Sequence, residues 1–218
     1  MKICIFGAGA VGGVMAGWLL KAGHDVSVVA RGANLTAIRE HGLRIRTLAT
    51  GKIAAFKVRA ESNPQELGPQ DCVIVTVKAQ SLPEAARAMP ALAGPGTTVV
   101  TAMNGVPWWF FDRLRFGEGK LRLESLDPDE LLSRAMPTER IVGCVIHLAA
   151  STPEPGLVSH NMGSKLILGE PGGRNTARTQ AIAGALGDAG FDCTQSGFIE
   201  KDFWVKLLGN VSFNPVSA

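Results

Sequence analysis

The sequence predicts an α/β fold, a parallel sheet covered on both faces by helices, on three observations. The first stretch of about thirty residues reads as strand, glycine turn, helix and strand, the length of one parallel crossover unit. DCVIVTVK at 71–78 and TTVVTAMNG at 97–105 are continuous apolar runs, the pattern of strands buried on both faces. Helix-length segments alternate with such strands, and that alternation yields a parallel sheet.

In chain order, positions 2–6 form a short apolar strand, and the glycine turn leads into a helix at about 11–22 that Gly23 stops, as glycine does at C′. HDVSVVAR is the second strand, ending at Arg31. A helix near 34–41 follows, then two short strands, LRIRTL and FKVRA, around the turn ATGK. After the strand at 71–78, Ser81 and Pro83 start a helix that runs to about 92, ahead of the strand at 97–105. Residues 107–139 combine aromatics and charges without a clear period, and an insertion is expected there. Strands return at 141–148, 156–160 and 165–169, followed by a helix near 175–189 and a strand at 191–194. The last helix spans about 198–214, where Pro215 biases Asn214 away from helical geometry.

A chain of 218 residues, 46% hydrophobic and 19% charged, has the composition of an ordinary globular protein able to bury a substantial core. The net charge is +3 and the 22 basic residues are spread along the chain, which argues against nucleic acid or a polybasic membrane surface as partner. Cys4, Cys72, Cys144 and Cys193 each sit in an apolar stretch with no metal-binding spacing. They read as reduced core residues of a cytoplasmic protein, and no metal is expected. The apolar start imitates a secretory signal, but five glycines between positions 7 and 17 argue against a cleaved segment.

GAGAVGG places Gly7, Gly9 and Gly12 in the pattern GxGxxG between a strand and a helix, the context that makes this a dinucleotide fingerprint and the fold Rossmann-type. Gly7 permits the turn, Gly9 lets backbone approach a pyrophosphate, and Gly12 lets helix and strand pack closely. Free amides at the helix start, at Ala10 and Val11, hold the phosphates. The residue ending the second strand stands beside the adenine ribose. It is Arg31, not the acid that binds the 2′-hydroxyl of NAD, and a guanidinium suits the 2′-phosphate of NADP. A hydrogen bond to a charged group contributes about 1.5–3 kcal/mol, roughly ten- to a hundredfold in preference. Otherwise Arg31 is a solvated surface arginine.

Lys78 and Asn104 follow apolar strands, and ligands of parallel sheets gather outside the carboxyl ends of strands. Lys78 either faces the cofactor or caps and solvates. Asn104 precedes Gly105, and it either serves the nicotinamide end or makes an Asn-Gly turn. Near the end, Lys206, Asn210 and Asn214 recur every four residues, a polar stripe roughly 80° wide at about 100° per residue. It borders an apolar flank of Trp204, Leu207, Leu208 and Val211. On residues alone, the lysine either does chemistry or snorkels.

GAGAVGG, VVAR, VTVKAQ, MNG, GLVSH, LILGE, DAGF and WVKLLGNVSFNPVSA together resemble the ketopantoate reductase (2-dehydropantoate 2-reductase) family over most of the chain. The resemblance implies an NADPH-binding Rossmann domain followed by a helical domain whose first helix carries the catalytic lysine. By motif, Lys206 is that lysine, Asn210 and Asn214 bind substrate, and Lys78, Gln80 and Asn104 line the cleft. It implies residues 1–197 as the NADP-binding domain and 198–218 as the first helix of a truncated helical domain. The family continues into helices that supply an acidic substrate-site residue and a serine, which this sequence does not include. PWWFF and the charges after it depart from the family pattern, as core packing of a lid or as a reshaped pocket.

Three functions compete. The first is NADPH-dependent reduction of ketopantoate or a related 2-oxo acid. The second is a non-catalytic NADP-binding module, and the third a different hydroxy-acid or polyol-phosphate dehydrogenase. The exposed flank of the last helix predicts a homo-oligomer.

Overall fold

The computed structural model describes residues 1–114 and 121–213. In chain order the elements are β1 (Lys2–Phe6), α1 (Ala10–Lys21), β2 (Asp25–Val29), α2 (Gly32–His41), β3 (Leu43–Thr47), β4 (Ile53–Phe56), β5 (Arg59–Glu61) and β6 (Gln70–Val75). They continue with α3 (Leu82–Leu92), β7 (Ala93–Ala102), α4 (Leu131–Ala135), β8 (Ile141–Glu154), β9 (Leu157–Gly169), α5 (Ala177–Asp188), β10 (Asp192–Gln195) and α6 (Ile199–Phe213). Among the described residues these strands form one sheet in the order β4-β3-β9-β8-β7-β6-β1-β2-β5, with β10 also on β9.

The Rossmann-type centre is parallel, as the apolar runs predict: Ile5 of β1 pairs with Val28 of β2 on one side and Ile74 of β6 on the other. Side chains of a strand alternate between faces. Ile3 and Ile5 therefore pack with Val14 and Met15 of α1 and Ile182 of α5, while Cys4 and Phe6 pack with Leu82 and Met89 of α3.

Beyond that centre the sheet is mixed. FKVRA is not one strand: the chain breaks at Lys57 and Val58, β4 pairs antiparallel with β3, and β5 joins β2 at the opposite edge. The expected strands at 156–160 and 165–169 are one strand, β9, because β8 runs on to Glu154 and pairs antiparallel along it. One edge of β9 serves two partners, β3 at residues 157–160 and β10 at residues 165–168.

The aromatic part of the expected insertion is core. Trp108, Trp109 and Phe110 are buried, and the Trp109 indole donates to Thr101 Oγ1 of β7 at 3.2 Å. Trp109 also meets Phe203 of α6 edge to face, with ring centroids 5.6 Å apart. Its ring lies where a Cβ on Gly143 of β8 would stand, 2.8 Å from Trp109 Cη2 and 2.9 Å from Ile199 Cγ1. PWWFF thus builds the seat on which α6 rests. Asn214 and Pro215, expected to end the last helix, lie outside the described residues.

Candidate active site

The glycine turn is tight for identifiable reasons. Gly7 has φ +107°, a conformation costly for any residue with a Cβ. A Cβ on Gly12 would stand 2.1 Å from Gly7 O and 2.3 Å from Thr76 Oγ1, so the first turn of α1 closes against both the loop and the residue that follows β6. Thr76 fastens the arrangement by donating to Gly7 O at 2.7 Å. Asn34 ties it to the β8–β9 hairpin: its amide donates to Ala8 O at 2.8 Å and its Oδ1 accepts from Gly156 N at 2.8 Å.

Beside this turn lies a cleft of about 570 Å³ lined by Gly7, Gly9, Ala10, Val11, Lys78, Gln80, Asn104 and Ile146, among others. A dinucleotide fits its chemistry. A Cβ on Gly9 would meet nothing within 4 Å, so this backbone faces open space. Gly9 also caps α1 without a side-chain hydrogen bond, leaving the first amides of the helix for a phosphate. Gly12 is not part of the wall; it packs. Lys78 stands three residues beyond β6, in the loop before the one-turn helix Ala79–Ser81.

α6 brings Lys206 to the same cleft. Its Nζ donates to Asn104 Oδ1 at 2.8 Å and to the backbone oxygen of Ile146, both belonging to lining residues. Burial lowers the Lys206 pKa from its ordinary value, because an apolar surrounding disfavours the ammonium. The neighbouring His147 imidazole is also pushed down, by its own burial and then by the charges of Lys206 and Lys165. The Cys144 thiol, pushed up to about 12 by burial, stays neutral. Asn210, one turn after Lys206, is half-buried, and Asn214 lies outside the described residues.

Arg31 is not in the cleft wall. It stands two residues beyond β2 as the N-cap of α2, and its Nη1 donates to Glu84 Oε2 at 2.5 Å. The sheet order places β2 and β7 three strand spacings apart, about 14 Å, so Arg31 follows a strand well separated from the one that Asn104 follows.

Thr76, Asn34, Glu84 and Ile146 were not singled out from the sequence. Thr76 left a trace as the one polar interruption in VIVTV; Ile146 left none, since it acts through its peptide oxygen.

A profile of the family described as ketopantoate reductase PanE/ApbA matches residues 3–173. A 2-dehydropantoate 2-reductase of Mesorhizobium japonicum is 42% identical over 100% of this chain and 67% of its own. The solved structure of a Ralstonia solanacearum protein assigned as a ketopantoate reductase superposes with a TM-score of 0.93 at 46% identity, covering 99% of this chain and 66% of that one. The 2-dehydropantoate 2-reductase of Geobacter metallireducens does so with a TM-score of 0.82 at 29% identity, over 100% and 65%. The chain spans about two thirds of the length of these relatives. A profile match over most of its residues and a relative of this identity along its full length establish that the chain belongs to the ketopantoate reductase PanE/ApbA family of oxidoreductases.

Proposed function

We propose that this chain carries the nucleotide site and the proton donor of an NADPH-dependent reductase acting on 2-dehydropantoate (ketopantoate) or a closely related 2-oxo acid. The observation that carries the reading is the meeting of Lys206 with Asn104 and Ile146 in the cleft that the glycine turn opens. In this reading residues 1–197 form the NADP-binding unit, and residues 198–218 belong to a second, helical unit.

Ala10 and Val11 amides bind the diphosphate at the start of α1, Lys78 and Gln80 hold the cofactor from the loop after β6, and Arg31 takes the 2′-phosphate. The bound cofactor supplies hydride to the 2-oxo carbon. Negative charge then grows on the substrate's carbonyl oxygen, where Lys206 acts. An ammonium has three N–H donors. Two are engaged by Asn104 and Ile146, which leaves the third for that oxygen, and in this reading Lys206 is the proton donor. Its lowered pKa makes it a stronger acid than a solvated lysine. Asn210 and Asn214 hold the substrate's carboxylate and hydroxyl without adding charge. The reading places the protein in the cytoplasm, with neither nucleic acid nor membrane as partner.

The test is a titration of nicotinamide fluorescence followed by NADPH oxidation assays on ketopantoate and a panel of 2-oxo acids. Saturable NADPH binding with turnover on ketopantoate supports the proposal. Turnover confined to another hydroxy-acid or polyol-phosphate couple replaces the substrate. Binding with no turnover on any of them makes the chain a nucleotide-binding module.

A further inference from the structure

In a Rossmann-type site the ribose is read at the end of the second strand by an acid or by a cation. Here β2 is followed by Ala30 and Arg31, with no acid. The acid arrives from another element. Glu84 lies in the first turn of α3, directly after the Lys78–Ser81 segment that lines the cleft, and its carboxylate forms an ion pair with Arg31. Both side chains are well exposed, at 63% and 43%, and such pairs add little to stability. Neither lines the cleft wall; what the pair offers is its place just beyond the end of β2, where a Rossmann-type site reads the ribose.

We infer that Glu84 sets the nucleotide preference of this cleft, opposing the 2′-phosphate of NADPH and accepting a hydrogen bond from the 2′-hydroxyl of NADH. The inference rests on the dinucleotide reading of the cleft. When a 2′-phosphate meets the Arg31 guanidinium, the carboxylate already paired there either yields or stays beside a dianion. In exposed surroundings that repulsion weakens binding by about three- to tenfold. A ribose hydroxyl brings no charge and gains an acceptor, the role an acid plays at the end of β2 in NAD sites. Arg31 alone therefore overstates the preference for NADPH.

Dissociation constants for NADPH and NADH, measured by fluorescence titration at low salt on wild type, Glu84→Gln and Arg31→Ala, test this. Glu84→Gln is expected to tighten NADPH about three- to tenfold and to weaken NADH by about threefold, with unchanged melting because the site is exposed. Arg31→Ala is expected to remove the NADPH preference. An unchanged NADPH-to-NADH ratio in Glu84→Gln overturns the inference, as does weaker NADPH binding, which would mean that the carboxylate holds Arg31 ready for the phosphate. Wild-type protein that binds neither nucleotide overturns the dinucleotide reading together with it.

Discussion

In the proposed reductase Lys206 works in its charged form, and burial lowers the pKa at which it loses that charge from the ordinary 10.5. A base with a lowered folded pKa is fully protonated only below that value. Turnover of the reductase should therefore fall as pH rises through it, with the alkaline limb of the kcat profile below pH 10.5. Lys206→Ala should lower kcat by about 10²–10⁴ while leaving the NADPH dissociation constant unchanged; equal turnover in the mutant would remove Lys206 from the chemistry. Gly12→Ala acts elsewhere. Its methyl would stand 2.1 Å from Gly7 O, so calorimetric titration should show nucleotide binding lost or cut by more than tenfold, with a lower melting temperature. That Lys206, Asn104 and the glycine turn meet at one cleft was legible in part, because each stands out against its surroundings, the lysine and the asparagine as polar residues beside apolar runs and the glycines by their spacing; the residues alone left more than one use open for the lysine and the asparagine. Glu84 was not legible: a carboxylate in the first turn of a helix is ordinary, and its pairing with Arg31 spans 53 positions.

α6 is seated by polar groups as well as by Trp109. Ser196 Oγ donates to Asp202, and Glu200, buried under the loop after β9, accepts from Gly172 N at 2.8 Å while its other oxygen is unpartnered. Burial raises the Glu200 pKa. The folded state then holds that proton more tightly than the unfolded state, so stability falls as pH rises from the unfolded carboxylate pKa through the raised folded one. Glu200→Gln should accordingly melt higher than wild type at neutral pH and lose that advantage in acid, as followed by circular dichroism. At this scale the crossover units were readable, since apolar runs of four to eight residues bounded by turn residues admit few other assignments. The edges were not. FKVRA has the alternation of a single strand, and only β3 and β2, competing for its two halves from opposite sides of the sheet, divide it at Lys57.

Across the molecule, the aromatics that interrupt the strand-helix rhythm join the sheet to the last helix. Trp109 packs against Phe203 and hydrogen-bonds Thr101, holding α6 against β7 and β8. Trp109→Ala should destabilise the protein by about 3–5 kcal/mol in denaturant titration and loosen the Lys206 contacts with it. The outward face of α6 leaves Trp204, Val205, Leu208 and Val211 exposed, and we expect two copies to associate through it. Light scattering should report a species larger than the monomer at high concentration, and Leu208→Lys should shift it toward monomer. The acceptor that Ile146 offers to Lys206 is a peptide carbonyl, present whatever amino acid the codon specifies. The Ile146 side chain is buried in the core, so any replacement that the core accepts leaves the lysine its tether, and in the proposed reductase the placing of the acid is insulated from drift at that codon.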